Sequence, residues 1–479
     1  MHVLFRLAAN AASILASDTV NRATTFVLYA LVARYLGAFE FGQMSLALSL
    51  FYLFQVTAVA GLKTLITREV AKDRDKTELY LVNGSLLVAA SSLASIAVLG
   101  LFLWAMSYSA DTTSVILLLS LGLLPYALSA VCEAVFQAWE RMQYIAYANV
   151  TANIGRVGMA FLLMAQGHGL RSLVLLILLS YVAIAAMEWV LLARNVLTPR
   201  PRLDPSFVLG MARLSSTFLG IDVIIALMSN VNVLLLSKLA GETELGHYSA
   251  AVQMTVPVTL LFQGIALSIF PVMCRRFDPS FQDLGRISGY LMELLLAIAL
   301  PAAVGLFFLA DQALLLLYGE RGFTAAAESL RIMVWNLVLA PLTIALGQVL
   351  YASLRERTTL RIVVIDTLAA ILFGAILVSQ MGVMGAALAS LLTKVVDFLQ
   401  HYLAVRRLLP IALGRVLWKP AAASACMALF LTQAPQLGSV LALLTGCLLY
   451  CAVLAALLLR SMGGVRRLKI RLADLRAAL

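Results

Sequence analysis

Asp18 and Arg22 stand four residues apart in a stretch whose other neighbours are mostly apolar. On a helix that spacing puts a carboxylate and a guanidinium on one face, where the acid can orient the base toward an anionic ligand. Asn10, Ser13, Ser17, Asn21 and Thr24 extend a polar stripe beside them. Further along, Asn153 with Arg156, then Asp222 with Asn230 and Asn232, bring the same chemistry into other apolar stretches. Lys63 either snorkels to an interface or joins an anion site. Lys394 and Asp397 are spaced as an ion pair, and they, with Asp222 and Asp366, are the candidate coupling-ion residues. Glu133, Glu188 and Asp366 are either proton or cation sites or interhelical hydrogen-bond partners. A charge inside a membrane-length apolar segment costs roughly 2.5–3.5 kcal/mol on insertion scales, so such residues face an interior or an aqueous path.

The elements that carry these residues are membrane helices. Hydrophobic residues make up 62% of the 479, charged residues 12%, a balance that no water-soluble domain of this size holds. The N-terminal apolar run is broken by Asn10, Asp18, Asn21 and Arg22, which argues against a cleaved signal peptide. Cys132, Cys274, Cys426, Cys447 and Cys451 are scattered through apolar segments without metal-ligand spacing, and the histidines form no metal box. No disulfide, metal or cofactor is expected.

Fourteen spans emerge: 11–33, 43–67, 80–106, 113–137, 144–166, 170–194, 207–237, 245–274, 287–317, 328–353, 360–381, 384–409, 416–432 and 436–460. Of the 35 basic residues, 26 fall on the side of the N-terminus, five on the opposite side and four inside spans. Such a bias follows the positive-inside rule and places both termini in the cytoplasm. The net charge of +11 therefore reflects topology and contact with anionic lipids, not nucleic acid. The expectation is an all-α polytopic membrane protein with two pseudo-symmetric six-helix lobes, 1–195 and 207–410. The Pro-rich connection 196–206 joins them, helices 13 and 14 occupy 411–460, and 461–479 forms a basic amphipathic tail on the inner leaflet. Pro125, Pro257, Pro301 and Pro341 interrupt spans four, eight, nine and ten and offer places to bend.

The two lobes share a motif. RYLGAFEFGQMSLA from Arg34 returns as KLAGETELGHYSAA from Lys238, with Gly37, Glu40, Gly42, Ser45 and Ala47 matching Gly241, Glu244, Gly246, Ser249 and Ala251. The offset of 204 maps Asp18 onto Asp222, but Arg22 onto Ala226, so the positive partner exists in one copy only. In each copy a basic residue ends an apolar helix and a glycine turns the chain. Parallel repeats of this kind build transporters that bind substrate between their halves.

VARYLGAFEFGQMSLALSL followed by TREVAKD resembles the opening of the polysaccharide transporter family. That family belongs to the multidrug, oligosaccharidyl-lipid and polysaccharide exporter superfamily and includes the Wzx-type O-antigen flippases. SKLAGETELGHYSAAVQM, LYGERGFTAAAESLRI and MGVMGAALASLLTKVVDFL resemble later landmarks in the right order, so the likeness covers nearly the whole chain. It implies twelve to fourteen helices and a cavity lined by helices one, two, seven and eight. It also implies movement of undecaprenyl-diphosphate-linked sugars to the outer leaflet of a bacterial inner membrane. Arg22 matches by position a basic residue that takes the diphosphate; against the bases Arg22, Lys63, Arg156 and Lys394 inside spans stand acids that include Asp18, Glu133, Glu188, Asp222, Asp366 and Asp397.

Three functions compete. In a lipid-linked oligosaccharide flippase, Arg22 contacts the diphosphate, helped by Arg156 and Lys63, and Asp18 orients Arg22. Asp222, Asn230 and Asn232 then take sugar hydroxyls or a coupling cation. A monomer is expected, with glycan polymerase machinery as a candidate partner. In a multidrug or cation antiporter the acids bind the drug, but Arg22 and Arg156 repel it. A membrane-bound glycan polymerase or ligase needs a sizeable external loop, and the external connections here are short.

Overall fold

The computed structural model describes residues 2–197, 203–275, 282–320, 322–409, 411–433 and 438–461. Side chains in the first turns of the chain and that of Asp18 lie outside the described residues, as does the expected tail beyond Ser461. The described residues are helical with no strand. In order, the helices are α1 (His2–Leu36), α2 (Ala38–Val59), α3 (Leu62–Lys72), α4 (Thr77–Met106), α5 (Ala110–Ser120), α6 (Leu123–Ala138), α7 (Gln143–Ala165) and α8 (Leu170–Asn195). There follow α9 (Pro205–Leu239), α10 (Glu242–Arg275), α11 (Gln282–Phe308), α12 (Ala310–Tyr318), α13 (Ala326–Ala352), α14 (Glu356–Val405), α15 (Leu413–Gln433) and α16 (Ser439–Ser461).

Among the described residues each expected span falls largely on helix, and nine stretches are long and apolar enough to cross a membrane. The 50 residues of α14 cover two spans, hinged at Gly382, whose φ of 55° and ψ of −128° no helix holds. Span two divides into α2 and α3 where Ala60 and Gly61 are both left-handed. Span four divides before α6, with Pro125 in the first turn of that helix, where a missing N–H costs nothing. Pro257, Pro301 and Pro341 differ from expectation: α10, α11 and α13 run through them. Neighbouring helices tolerate a freed carbonyl in such a setting.

By packing, the chain divides into a first unit, residues 1–249 with 320–322, and a second, residues 250–319 with 323–479. In the first, α1 lies on α7, and α2 is surrounded by α4, α5, α6 and α9. Phe41, Leu46, Leu50, Phe51 and Phe136 fill its core. In the second, α11, α13 and α14 pack together and α15 with α16 lies against α11. There Lys419 Nζ donates to Glu293 Oε1 at 2.9 Å and the Tyr450 hydroxyl donates to the Ala297 carbonyl at 2.8 Å.

The repeated motif has a structural meaning that its sequence does not display. α1 and α9 are both 35 residues long and end in Arg34 and Lys238 respectively within their last turns. Gly37 and Gly241 then turn the chain with φ of 97° and 88°, and each carbonyl accepts the first bond of the next helix at 3.1 Å, from Phe41 and Leu245. The second glycines do something else. A Cβ on Gly42 would lie 1.8 Å from the Glu242 carbonyl oxygen, and one on Gly246 would lie 2.0 Å from that of Ala38. Residue 242 is 38 + 204 and residue 246 is 42 + 204, so the two copies cross each other reciprocally, backbone against backbone. The crossing is tied by Gln43 Nε2 donating to Thr112 Oγ1 and Thr112 Oγ1 donating to Glu242 Oε1, both at 2.9 Å.

Candidate functional site

Inside the first unit, a cavity of about 160 Å³ has a polar lining. α7 supplies Asn149, Asn153 and Arg156, spaced four and three apart and hence on one face. α6 supplies Tyr126, Ser129 and Glu133 by the same rule, while α1 adds Asn21 and Thr25. Tyr52 and Gln55 come from α2, and Tyr181 and Ile184 from α8. The tyrosines are held by packing: Phe51 stacks on Tyr181 with ring centroids 5.0 Å apart and meets Tyr126 edge-on at 6.0 Å.

The charges around this cavity fall into two classes. Lys63, at the start of α3, donates to Glu133 Oε2, while Asn149 Nδ2 reaches the other oxygen of Glu133 at 3.3 Å. Lys63 therefore neutralises a carboxylate on the neighbouring helix and does not snorkel. Ser129 donates to one oxygen of Glu188, which is fully buried, and the other oxygen has no protein partner. Arg156 and Asn153 form the second class. They are 6% and 1% exposed, and among the described residues Arg156 Nε and Nη2 and both amide atoms of Asn153 have no hydrogen-bond partner. An unpartnered guanidinium is costly in a bilayer, which marks this residue as a candidate for function.

The other expected site residues are spread out. Arg22 is exposed on α1, beside the lining residue Asn21 but not itself part of the lining. Asp222 is exposed on α9. Asn230 Nδ2 bonds its own helix at Ala226 O, 2.8 Å away. Asn232 Nδ2 donates to the Tyr248 hydroxyl at 3.3 Å, leaving its Oδ1 without a partner. In the second unit, Asp397 binds Lys394 Nζ at 2.7 Å and His401 Nδ1 at 2.8 Å, and Gln400 Nε2 donates to Asp366 Oδ1 at 2.8 Å. Asp366, Asp397 and His401 are buried. No group of three or more His, Cys, Asp or Glu arranged to hold a metal occurs among the described residues.

Tyr52, Gln55, Tyr126, Ser129, Asn149 and Tyr181 were not singled out from sequence. Their signal was available in the stripes 149/153/156 and 126/129/133, which repeat at helical period inside apolar spans.

A family model described as "Polysaccharide biosynthesis protein" matches residues 7–277, more than half of the chain. The chain belongs to this family. The polysaccharide biosynthesis family sits within the multidrug, oligosaccharidyl-lipid and polysaccharide exporter superfamily, and a second model, MatE, matches residues 220–376. A Haloferax volcanii protein named "Probable low-salt glycan biosynthesis flippase Agl15" is 23% identical over 376 residues, 77% of each chain. Among solved structures, the lipid II flippase MurJ in an inward closed conformation has a TM-score of 0.78 at 15% identity, over 94% of this chain and 99% of that one. An inward-facing multidrug resistance MATE transporter reaches 0.65 at 14% identity, over 82% and 98%. Family membership and the fold agree on an integral membrane transporter.

Proposed function

We propose that this member of the polysaccharide biosynthesis family is a flippase. It carries undecaprenyl-diphosphate-linked oligosaccharide, an O-antigen or exopolysaccharide repeat unit, from the inner to the outer leaflet of a bacterial inner membrane by alternating access. The observation that carries the reading is the polar cavity in the first unit, whose wall includes the buried Arg156 and Asn153 inside an apolar bundle. The Haloferax volcanii relative, named a probable glycan biosynthesis flippase, supports a glycan cargo. Exposed Arg22 takes the diphosphate, helped by Arg156 on the cavity wall, and Asn21 lies next to Arg22 in that wall. Asp222, Asn230 and Asn232 serve sugar hydroxyls or a cation. The paired cluster of Asp366, Lys394 and Asp397 is the place where a coupling ion would exchange. Export of an anion from a cell negative inside gains about 2.3 kcal/mol per charge per 100 mV, so membrane voltage can drive a diphosphate outward. Both termini lie in the cytoplasm in this reading, the chain works as a monomer, and glycan polymerase machinery receives its product.

The test is Arg22→Ala in a strain depending on this protein for surface glycan. Lipid-linked repeat units should accumulate on the inner leaflet while folded protein stays at its normal level. Undiminished export would sink the assignment. The multidrug antiporter reading rests on the MatE family model over residues 220–376; the Arg156 guanidinium on the cavity wall opposes it, because it repels cationic drugs. Unchanged drug susceptibility on deletion separates the two.

A further inference from the structure

We infer that the α6–α7 turn and the α13–α14 turn are two copies of one device, an arginine hook that holds the phosphate head group of an anionic phospholipid at the inner leaflet. Both turns lie away from the cavity lining, and their role is independent of the cargo. Residues 135–141 read VFQAWER and residues 349–355 read VLYASLR, so Val, Ala and Arg recur at an offset of 214. The same three backbone bonds close each turn. Trp139 N donates to the Val135 carbonyl at 2.9 Å, and Ser353 N to that of Val349 at 3.0 Å. Glu140 N and Leu354 N reach the Gln137 and Tyr351 carbonyls, both at 3.1 Å. Arg141 N and Arg355 N reach the Phe136 and Leu350 carbonyls at 2.8 and 3.0 Å. Glu140 and Leu354 are left-handed, with φ of 57° and 56°. A helix end of this kind favours glycine at the left-handed position, followed by an apolar residue that packs back on the helix. Here arginine takes that second place twice. The turn itself does not ask for it.

In the first copy Trp139 is fixed by its Nε1, which donates to Thr77 Oγ1 at 3.1 Å. Two guanidiniums from separate stretches converge on its ring, Arg74 with Cζ 5.1 Å from the centroid and Arg141 with Cζ at 5.9 Å. Arg141 also donates to the Asn195 carbonyl. On the connection that carries Arg74, the other bases are taken: Arg68 and Lys72 pair with Glu69, and Lys76 with Asp73. Among the described residues neither Arg74 nor Arg141 pairs with a carboxylate, and Arg74 is exposed. Contact with a ring face satisfies no N–H donor, so the guanidinium fork remains for an oxyanion. In the second copy Arg355, Arg357 and Arg361 are exposed and likewise make no ion pair among the described residues. Leu354 is 81% exposed on a left-handed backbone, so neither packing nor conformational ease accounts for a leucine there. Depth selects lipid as the partner. α7 begins at Gln143 and α14 at Glu356, so each turn borders an expected span, at the level where aromatic and basic side chains meet head groups. In the topology proposed above that side is the cytoplasmic one, whose leaflet is anionic.

The experiment follows the melting temperature of the full-length protein, purified in an uncharged detergent, as phosphatidylglycerol is added. Phosphatidylcholine and inorganic phosphate are the comparison arms. Phosphatidylglycerol should raise the melting temperature saturably, and neither other probe should. Arg74→Gln and Arg355→Gln should each raise the half-saturating phosphatidylglycerol about fivefold, and combined with Arg141→Gln more than about tenfold. If the triple variant fails to fold, the two single ones carry the comparison. Lys72→Gln removes the same charge from a residue already paired with Glu69 and should change little. Leu354→Gly should raise the melting temperature without lipid, by relaxing the left-handed position, and shrink the gain that lipid brings. Equal effects of Lys72→Gln and Arg74→Gln would reduce the hooks to diffuse charge and overturn the inference. A matching response to inorganic phosphate would assign the site to a free anion, and no response to phosphatidylglycerol would leave the turns to a protein partner; either would overturn it too.

Discussion

The two units differ in how completely buried polar groups are paired, although both hold ion pairs. In the second, Asp397 is clasped by Lys394 and His401, and Asp366 is held by Gln400. In the first, Arg156 and Asn153 are as deeply buried yet keep their donors unmet. A charge paired by the protein contributes to holding that protein together. One left without a partner costs stability, which makes its position a candidate for function rather than for holding the fold.

The comparison breaks first if the frame beneath it is not what positions the cavity. Gly42→Leu or Gly246→Leu should abolish monodisperse protein on size-exclusion chromatography, because a side chain there meets a carbonyl at 1.8 or 2.0 Å. Displacing backbone belongs with losses above about 4 kcal/mol. The paired and unpaired charges should then separate. Asp397→Ala strands the Lys394 ammonium, while His401 Nδ1 keeps the backbone carbonyl of residue 397 at 3.0 Å, and should cost about 2 kcal/mol, discounted from the full buried-pair value because Lys394 is 29% exposed. Its melting temperature should fall. Arg156→Gln should leave the melting temperature unchanged or higher, yet reduce glycan export by about tenfold, equivalent to ~1.4 kcal/mol. A melting temperature that drops as far in Arg156→Gln as in Asp397→Ala would erase the distinction. Within the first unit, Lys63→Met should lower stability by about 1 kcal/mol by stranding Glu133, and the swap Lys63→Glu with Glu133→Lys should recover most of it. The smallest effect is expected from Tyr450→Phe, which removes one bond to the Ala297 carbonyl and about 0.6 kcal/mol in a thermal melt.

Most of the frame could be read from the chain. Among the described residues the fourteen spans fall largely on helix because a membrane helix writes its length directly in apolar residues. The breaks at Ala60 and Leu309 escaped notice, since a left-handed alanine or a one-residue interruption leaves no compositional trace. At the site, Arg156 stood out because a mid-span guanidinium is expensive. The partner of Lys63 did not, because Glu133 is 70 residues away and only packing of α3 on α6 joins them. Arg22 drew attention by its position after Asp18. Sequence could not distinguish Arg22, which is outside the cavity lining, from its neighbour Asn21, which belongs to it.

Fits between side chains can be recut: when one residue swells, a second substitution opposite can shrink to receive it. The meeting of Gly42 with Glu242 and of Gly246 with Ala38 offers no such trade. The atom in the way at positions 38 and 242 is a peptide oxygen, carried by every amino acid, so no replacement there could make space. Each half of the duplicated chain thus holds the other to hydrogen at one position, and divergence elsewhere cannot release it.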